Sequence, residues 1–312
     1  MKKIISLLVP VLLITFFACN KATNIVDAET IINDIKNRKP IILKNKTING
    51  VLNFSKAGMF FPENSAHVNT IIYSPIAFYN CTFTDSVYTV AEIANNVSSS
   101  VLFMQSVTFE ACNFKNEIEF KNAEFSGIVN FNQSVFEKKA SFIENTFTGR
   151  YAFFSGTTFK ENARFIGLKS TNNLVFMHAM FMSTVDFQQI KSGGILQFSA
   201  MNLLRKADFT NLSGDEILFS QSIFDQEAAF IGILAQERLG LDNIYFKKGV
   251  SFENITAQGA VNFESTKSDG RFSIKNALFY FEKPVLKPEV SSDTMVHISG
   301  IRVLKALGEK AQ

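Results

Sequence analysis

Between Phe120 and Phe147 the chain reads FKNAEFSGIVNFNQSVFEKKASFIENTF, with phenylalanine at 120, 125, 131, 136, 142 and 147. The gaps alternate between five and six residues, so the underlying unit is eleven. One series of rings runs Phe109, Phe120, Phe131, Phe142, Phe153, slips one residue to Phe165, Phe176, Phe187, Phe198, Phe209, loses one at Phe219, and resumes at Phe230, Leu241, Phe252, Phe263, Ile274. An interleaved series runs Phe103, Phe114, Phe125, Phe136, Phe147, Phe159, Phe181, Leu203, Phe224, Phe246, Phe279, with smaller residues such as Ser170 and Ala235 in its gaps. From Phe103 to Phe279 the rhythm spans 176 residues, or sixteen units of eleven.

Eleven residues also make three turns of a right-handed coiled coil. Here, however, Ser, Thr, Asn and Gly recur between the rings, as in Phe125-Ser126-Gly127 and Phe147-Thr148-Gly149, and these favour turns over helix interiors. A plain strand alternation fails too, because gaps of five cannot hold every ring on one face. Short extended pieces joined by frequent corners satisfy both facts, and that is a solenoid with each ring pointing inward from a new side. The position two before each ring is small or β-branched, for example Ala123, Val129, Ser134, Ala140, Ala163, Val185, Ala207 and Val250. In an extended segment that residue shares the inward face. Two residues after a ring come Gly127, Gly149, Gly167, Asn116 and Asn122, which suit a corner.

Units such as Ala123-Glu124-Phe125-Ser126-Gly127 and Ala207-Asp208-Phe209-Thr210-Asn211 resemble the pentapeptide-repeat family, in its Phe-rich form with an extra residue in alternate units. The resemblance is dense across 100–280. It implies an all-β fold, a right-handed quadrilateral β-helix with about one unit per side. Four sides then consume 22 residues per coil, giving eight regular coils and a rod about 38 Å long. The rings expected to form its core are Phe109, Phe114, Phe120, Phe125, Phe131, Phe136, Phe142, Phe147, Phe176, Phe187, Phe198, Phe209, Phe252 and Phe263.

Solenoid ends expose unpaired strand edges and need covers. Asp27 to Arg38 reads as a short amphipathic helix with Asp27 as N-cap and Ile31, Ile32 and Ile35 on one face. The expected division is 1–18 signal peptide, 19–75 anchor, linker and helix/strand cap, 76–283 β-helix, and 284–312 C-terminal cap or tail around Ile301, Leu304 and Leu307. The stretch Ile233 to Asn243 is expected to bulge as a loop.

The first residues, MKKIISLLVPVLLITFFAC, place two lysines before a short apolar run, the pattern of an export signal. Phe16-Phe17-Ala18-Cys19 resembles a bacterial lipobox, although Phe stands where Leu and a small residue are commonest. That resemblance implies a lipoprotein whose first mature residue is acylated Cys19, carrying palmitate-type chains into a membrane. With Asn20 following, it implies the outer membrane of the cell envelope, facing the periplasm.

The chain carries a formal charge of +3, which argues against a nucleic-acid partner. Cys81 and Cys112 stand two residues before Phe83 and Phe114, where small residues recur; a disulfide between them is neither required nor excluded. The three histidines, His67, His178 and His297, form no ligand pair, and no phosphate loop, nucleophile elbow or zinc motif occurs. Carboxylates cluster at Asp215-Glu216 and at Asp225 with Glu227, where an outward solubilising role is favoured. No catalytic, cofactor-binding or metal-binding residue is therefore assigned. The expectation is a non-catalytic scaffold that meets an envelope protein and leaves room for homo-oligomers. The alternative is a polysaccharide-binding or polysaccharide-cleaving β-helix, which needs acidic and basic groups converging beside a cleft.

Overall fold

The computed structural model describes residues 24–64, 67–90, 98–280, 289–290 and 296–303. The signal segment and Cys19 lie outside the described residues. The chain is a nearly all-β solenoid of about 11 turns, with one α-helix among the described residues, near the N-terminus. One coil shows how it is laid down. Val107–Glu110 forms face 1, Asn113–Phe114 face 2, Ile118–Lys121 face 3 and Ala123–Phe125 face 4. Val129–Asn130 then returns to face 1, with Val129 paired in parallel to Val107.

Stacked coils make a 12-stranded sheet on face 2 and an 11-stranded sheet on face 3, while faces 1 and 4 join in a 20-stranded sheet. Among the described residues pairing is parallel except for one hairpin, Met59–Asn64 against His67–Ile72. Because pairing keeps ring over ring, Phe114, Phe136, Phe159 and Phe181 lie in register up face 2. On face 3, Phe120 stacks on Phe142 at 5.7 Å with 4° between planes, and Phe142 on Phe165 at 5.2 Å and 0°.

The rings named above as the expected core, from Phe109 to Phe263, are all buried, at 3% exposure or less. Burying each phenylalanine stabilises by about 1.5 to 3 kcal/mol before chain entropy is subtracted. In Ala140–Ile143 the strand pleat turns Ala140 and Phe142 inward and leaves Ser141 and Ile143 half-exposed.

The corners are of two kinds. Two residues after each ring of faces 1 and 3 the backbone is left-handed, as at Ala111, Asn122, Gln133, Glu144, Gly167, His178 and Asn211, with φ from 50° to 67°. After the rings of face 4 the corner is tight instead. A Cβ on Gly127 would sit 2.4 Å from Ser106 N, and one on Gly149 would sit 2.1 Å from Gly127 O. Asn116 belongs to neither kind of strained corner, since its φ is not positive.

Two expectations are corrected. The inward ring is Phe154, fully buried, rather than Phe153, which is half-buried on the outside and stacked on Tyr151 at 5.0 Å. Adjacent phenylalanines satisfy the period equally well, and pairing of Val129 with Ala152 sets the pleat that turns Phe154 inward. The stretch Ile233 to Asn243 does not leave the coil as a loop, although one extra residue between Ala235 and Arg238 shifts the register opposite Gly214 and Glu216. Leu234–Gly240 is a strand that crosses from face 4 to face 1, paired to Ser213–Leu218 on one side and to Thr256–Ala257 and Ala260–Asn262 on the other. Ile233, Ala235, Leu239 and Leu241 point inward, so the segment carries its own share of core.

At the N-terminus the helix Ala28–Lys36 buries Ala28, Ile31, Ile32 and Ile35. Asp27 holds the extended N-cap conformation, although its side chain makes no capping hydrogen bond. Ile41–Lys44, Thr47–Asn49 and Leu52–Asn53 pair with Ile76–Tyr79, Thr82–Phe83 and Val87–Tyr88, so coil stacking extends beneath residue 76. At the other end Val296–Ser299 pairs with the strand Arg271–Lys275, and Arg302–Val303 with Leu278–Phe279. Ile301 packs against the core from there; Leu304 and Leu307 lie outside the described residues.

Candidate functional site

Face 3 carries a groove. In successive coils its outward strand position is Arg164, Asp186, Asp208, Ala229 and Ser251, each paired with the next. Ala229, Gly249 and Ser251 are small, so the floor falls away there. Flanking side chains enclose a cavity of about 630 Å³. Gly249 is required by the backbone, with φ at 132° and no room for a Cβ, which would meet Arg271 O at 2.7 Å.

The lining mixes Arg164, Lys206, Lys248, Arg271 and Lys275 with Asp186, Asp208, Glu227 and Glu253. Several of these charges satisfy one another. Lys206 Nζ lies 3.4 Å from Glu227, and Lys275 Nζ lies 3.2 Å from Glu253, which also accepts from Ser251 Oγ at 2.9 Å. The Ser251 hydroxyl and the Lys275 ammonium hold the Glu253 carboxyl below its ordinary range.

Asp186 and Asp208 stand side by side in adjacent coils. Burial pushes the Asp186 carboxyl above its ordinary range, with the charge of Asp208 adding to the rise, while the Gln188 backbone N–H and Arg164 oppose it. Asp186 Oδ1 accepts from Gln188 N at 3.0 Å, Asp208 Oδ1 from Thr210 N at 2.9 Å, and Asp208 Oδ2 from Gln188 Nε2 at 2.8 Å. The same turn recurs elsewhere with a neutral residue. Asn130 Oδ1 accepts from Asn132 N, and Asn262 Oδ1 from Glu264 N, both at 2.9 Å. In each case the residue just before a ring closes an Asx turn that steers the chain into the corner. The aspartates thus have a folding role before any other.

The carboxylates singled out in the sequence are not brought together. Glu216 on face 1 pairs with Arg238 at 2.7 Å, Asp225 on face 2 with Lys247 at 2.6 Å, and Glu227 at the edge of face 3 with Lys206. His178 occupies the left-handed corner after Phe176. His67 opens a hairpin strand, and His297 lies in Val296–Ser299. Cys81 and Cys112 are both free and buried, one coil apart in the small inward slot, with Asn113 N donating to Cys81 O at 2.8 Å. The neighbouring Cys81 thiol, together with burial, pushes Cys112 well above the ordinary thiol range, and the Cys112 Sγ donates to Phe78 O at 3.4 Å.

Sequence reasoning missed the groove, whose signal is a run of small outward residues. Ala229, Gly249 and Ser251 become neighbours only once the coil step is known. Among the described residues no helix is long and apolar enough to cross a membrane, and no group of three or more His, Cys, Asp or Glu is placed to hold a metal. No family model matches the chain, and no curated protein or solved structure matches it either.

Proposed function

We propose that this chain is a non-catalytic scaffold of the pentapeptide-repeat type, tethered through acylated Cys19 to the bacterial cell envelope, and that the face 3 groove docks an envelope protein. The observation that carries the reading is the state of the groove's charges. Its carboxylates are held by Asx turns and by lysines on the same face, an arrangement that presents a fixed pattern of both signs to a partner. General acid or base work calls for a carboxyl within reach of substrate and free to exchange its proton. A rigid surface of alternating sign instead gives specificity and register to a protein contact.

A photo-crosslinking residue in place of Ser251, in the membrane-anchored protein in its native envelope, tests this. The expected result is one stoichiometric protein adduct that is lost in Arg164→Glu. Labelling of glycan alone would overturn the scaffold and promote a second reading, a polysaccharide ligand. Asp186, Asp208, Arg164 and Arg271 converging along one groove favour that alternative.

A further inference from the structure

The run Met177-His178-Ala179-Met180-Phe181-Met182 turns the corner from face 1 to face 2. Ala179 and Phe181 point into the core, so His178, Met180 and Met182 alternate on the outside. Met177, Met180 and Met182 are 36%, 37% and 43% exposed. The repeat does not ask for thioethers here. Thr158 and Asn202 pair on either side of Met180, and the equivalents of Met177 are Ser155 and Ser199. Core packing therefore does not account for three methionines in six residues.

Their backbone is pinned to the neighbouring coils. His178 N donates to Ser199 O at 3.1 Å, Met180 N to Thr157 O at 2.8 Å and Met182 N to Phe159 O at 2.9 Å. Met180 and Met182, on either side of the inward Phe181, are same-face neighbours about 6.6 to 6.8 Å apart, and His178 precedes them at the left-handed corner, with φ at 59°. Unbranched thioethers with three rotatable bonds reach a common point across that spacing. No described side chain hydrogen-bonds the His178 ring. The flanking Lys160 is directed toward Glu137, 3.9 Å away.

We infer that His178, Met180 and Met182, with Met177 as fourth donor, form a surface site for a soft monovalent cation, Cu(I). The donor set is neutral and sulfur-rich. Such ligands favour Cu(I), whereas Mg(II) and Ca(II) prefer oxygen donors, and Zn(II) is best served by thiolate, imidazole and carboxylate. A single positive charge also needs no carboxylate to neutralise it.

The test uses the full chain labelled with 13C at methionine methyls and titrated anaerobically with Cu(I), and in parallel with Ag(I) as a redox-inert stand-in. The methyls of Met177, Met180 and Met182 are expected to shift together and saturate at one equivalent. Met180→Leu/Met182→Leu, which alters only exposed groups, is expected to keep the melting temperature and lose at least tenfold in affinity against a chelator. Reading the thioethers directly separates this site from metal captured by Cys81 or Cys112. Silent methyls, undiminished affinity in the double variant, or equally tight Zn(II) binding would each overturn the assignment.

Discussion

Face 4 solves the same packing problem in two opposite ways. In the earlier coils the small inward residue precedes the ring, as in Val101 with Phe103, Ala123 with Phe125 and Asn145 with Phe147. From Leu168 onward the order is inverted: Leu168 with Ser170, Ile190 with Ser192, Leu212 with Gly214, Ile233 with Ala235 and Ile255 with Ala257. Ala277 with Phe279 restores the first order. Each coil thus keeps one large and one small inward group on that face. What the coil conserves is filled volume rather than aromaticity, as a close-packed interior requires.

The opposed rings of faces 1 and 3 draw together along the rod, but before the inversion rather than at it. They lie 6.3 Å apart for Phe109 to Phe120 and 5.8 Å for Phe120 to Phe131. Beside Phe147 they are already at 5.3 Å for Phe131 to Phe142, and beside Ser170 and Ser192 they stand at 4.9 Å for Phe165 to Phe176 and 5.0 Å for Phe176 to Phe187. The small residues are not left polar and unpaired. Ser170 Oγ and Ser192 Oγ both donate to Asn172 O. The groove on face 3 is cut along the coils of this second region, from Asn162 to Lys275.

The largest expected effect comes from removing a ring where face 4 depends on it. Phe125→Ala should cost about 3 to 5 kcal/mol, because Phe103 and Phe147 above and below cannot collapse into the space without breaking register. A chemical-denaturation midpoint equal to that of the parent protein would contradict the stacking account. In the second region the same face should resist the opposite change. Ser192→Phe should destabilise by about 1 to 3 kcal/mol through overpacking, and Ile190→Ala in the same chain should recover part of that loss. Strict additivity in that double-mutant cycle would mean that the two slots do not trade volume.

A subtler difference lies at Asn145, which takes the small slot in the first region yet is wholly buried. It accepts from Ala123 N and donates to Phe120 O, both at 2.9 Å, tying its coil to the preceding one. Asn145→Ala should therefore cost about 1 to 3 kcal/mol despite the similar size of alanine in neighbouring slots, since two buried backbone groups lose a partner. Hydrogen exchange at the Ala123 amide is the sharpest readout. Unchanged protection there would place the bond outside the stability of the coil.

The rhythm of rings told the solenoid and its core from the sequence because inward positions recur at a fixed step and phenylalanine marks them, whereas its four sides were implied by the resemblance to pentapeptide repeats. Phe153 and Phe154 could not be separated that way, since neighbouring rings fit one period and only the pairing of Val129 with Ala152 chooses between them. Ile233 to Asn243 misled for a related reason. Its inward residues are aliphatic, Ile233, Leu239 and Leu241, so a segment of core without rings read as an interruption. The groove was harder still. Its floor is made by Ala229, Gly249 and Ser251, residues that look featureless in order and acquire meaning only when stacked.

The smallest expected effect asks whether the acidic row in the second region is more than a set of corners. Asn130 and Asn262 show that asparagine closes the same turn, so Asp186→Asn should keep the Gln188 N–H bond and remove only the charge. Asp186 has a folded-state carboxyl raised mainly by burial, with Asp208 adding to it. A raised carboxyl binds its proton more tightly in the folded chain, so its ionisation opposes folding, and this unfavourable contribution grows as pH rises from the unfolded carboxylate range through the raised folded value. At neutral pH the asparagine variant should consequently be as stable as the parent or slightly more so, and below the unfolded carboxylate range, where both chains are neutral at this position, the difference should vanish. A variant that melts lower at neutral pH would show instead that Arg164 and the Asp186 charge form a net stabilising pair, making the row an electrostatic element of the fold in its own right.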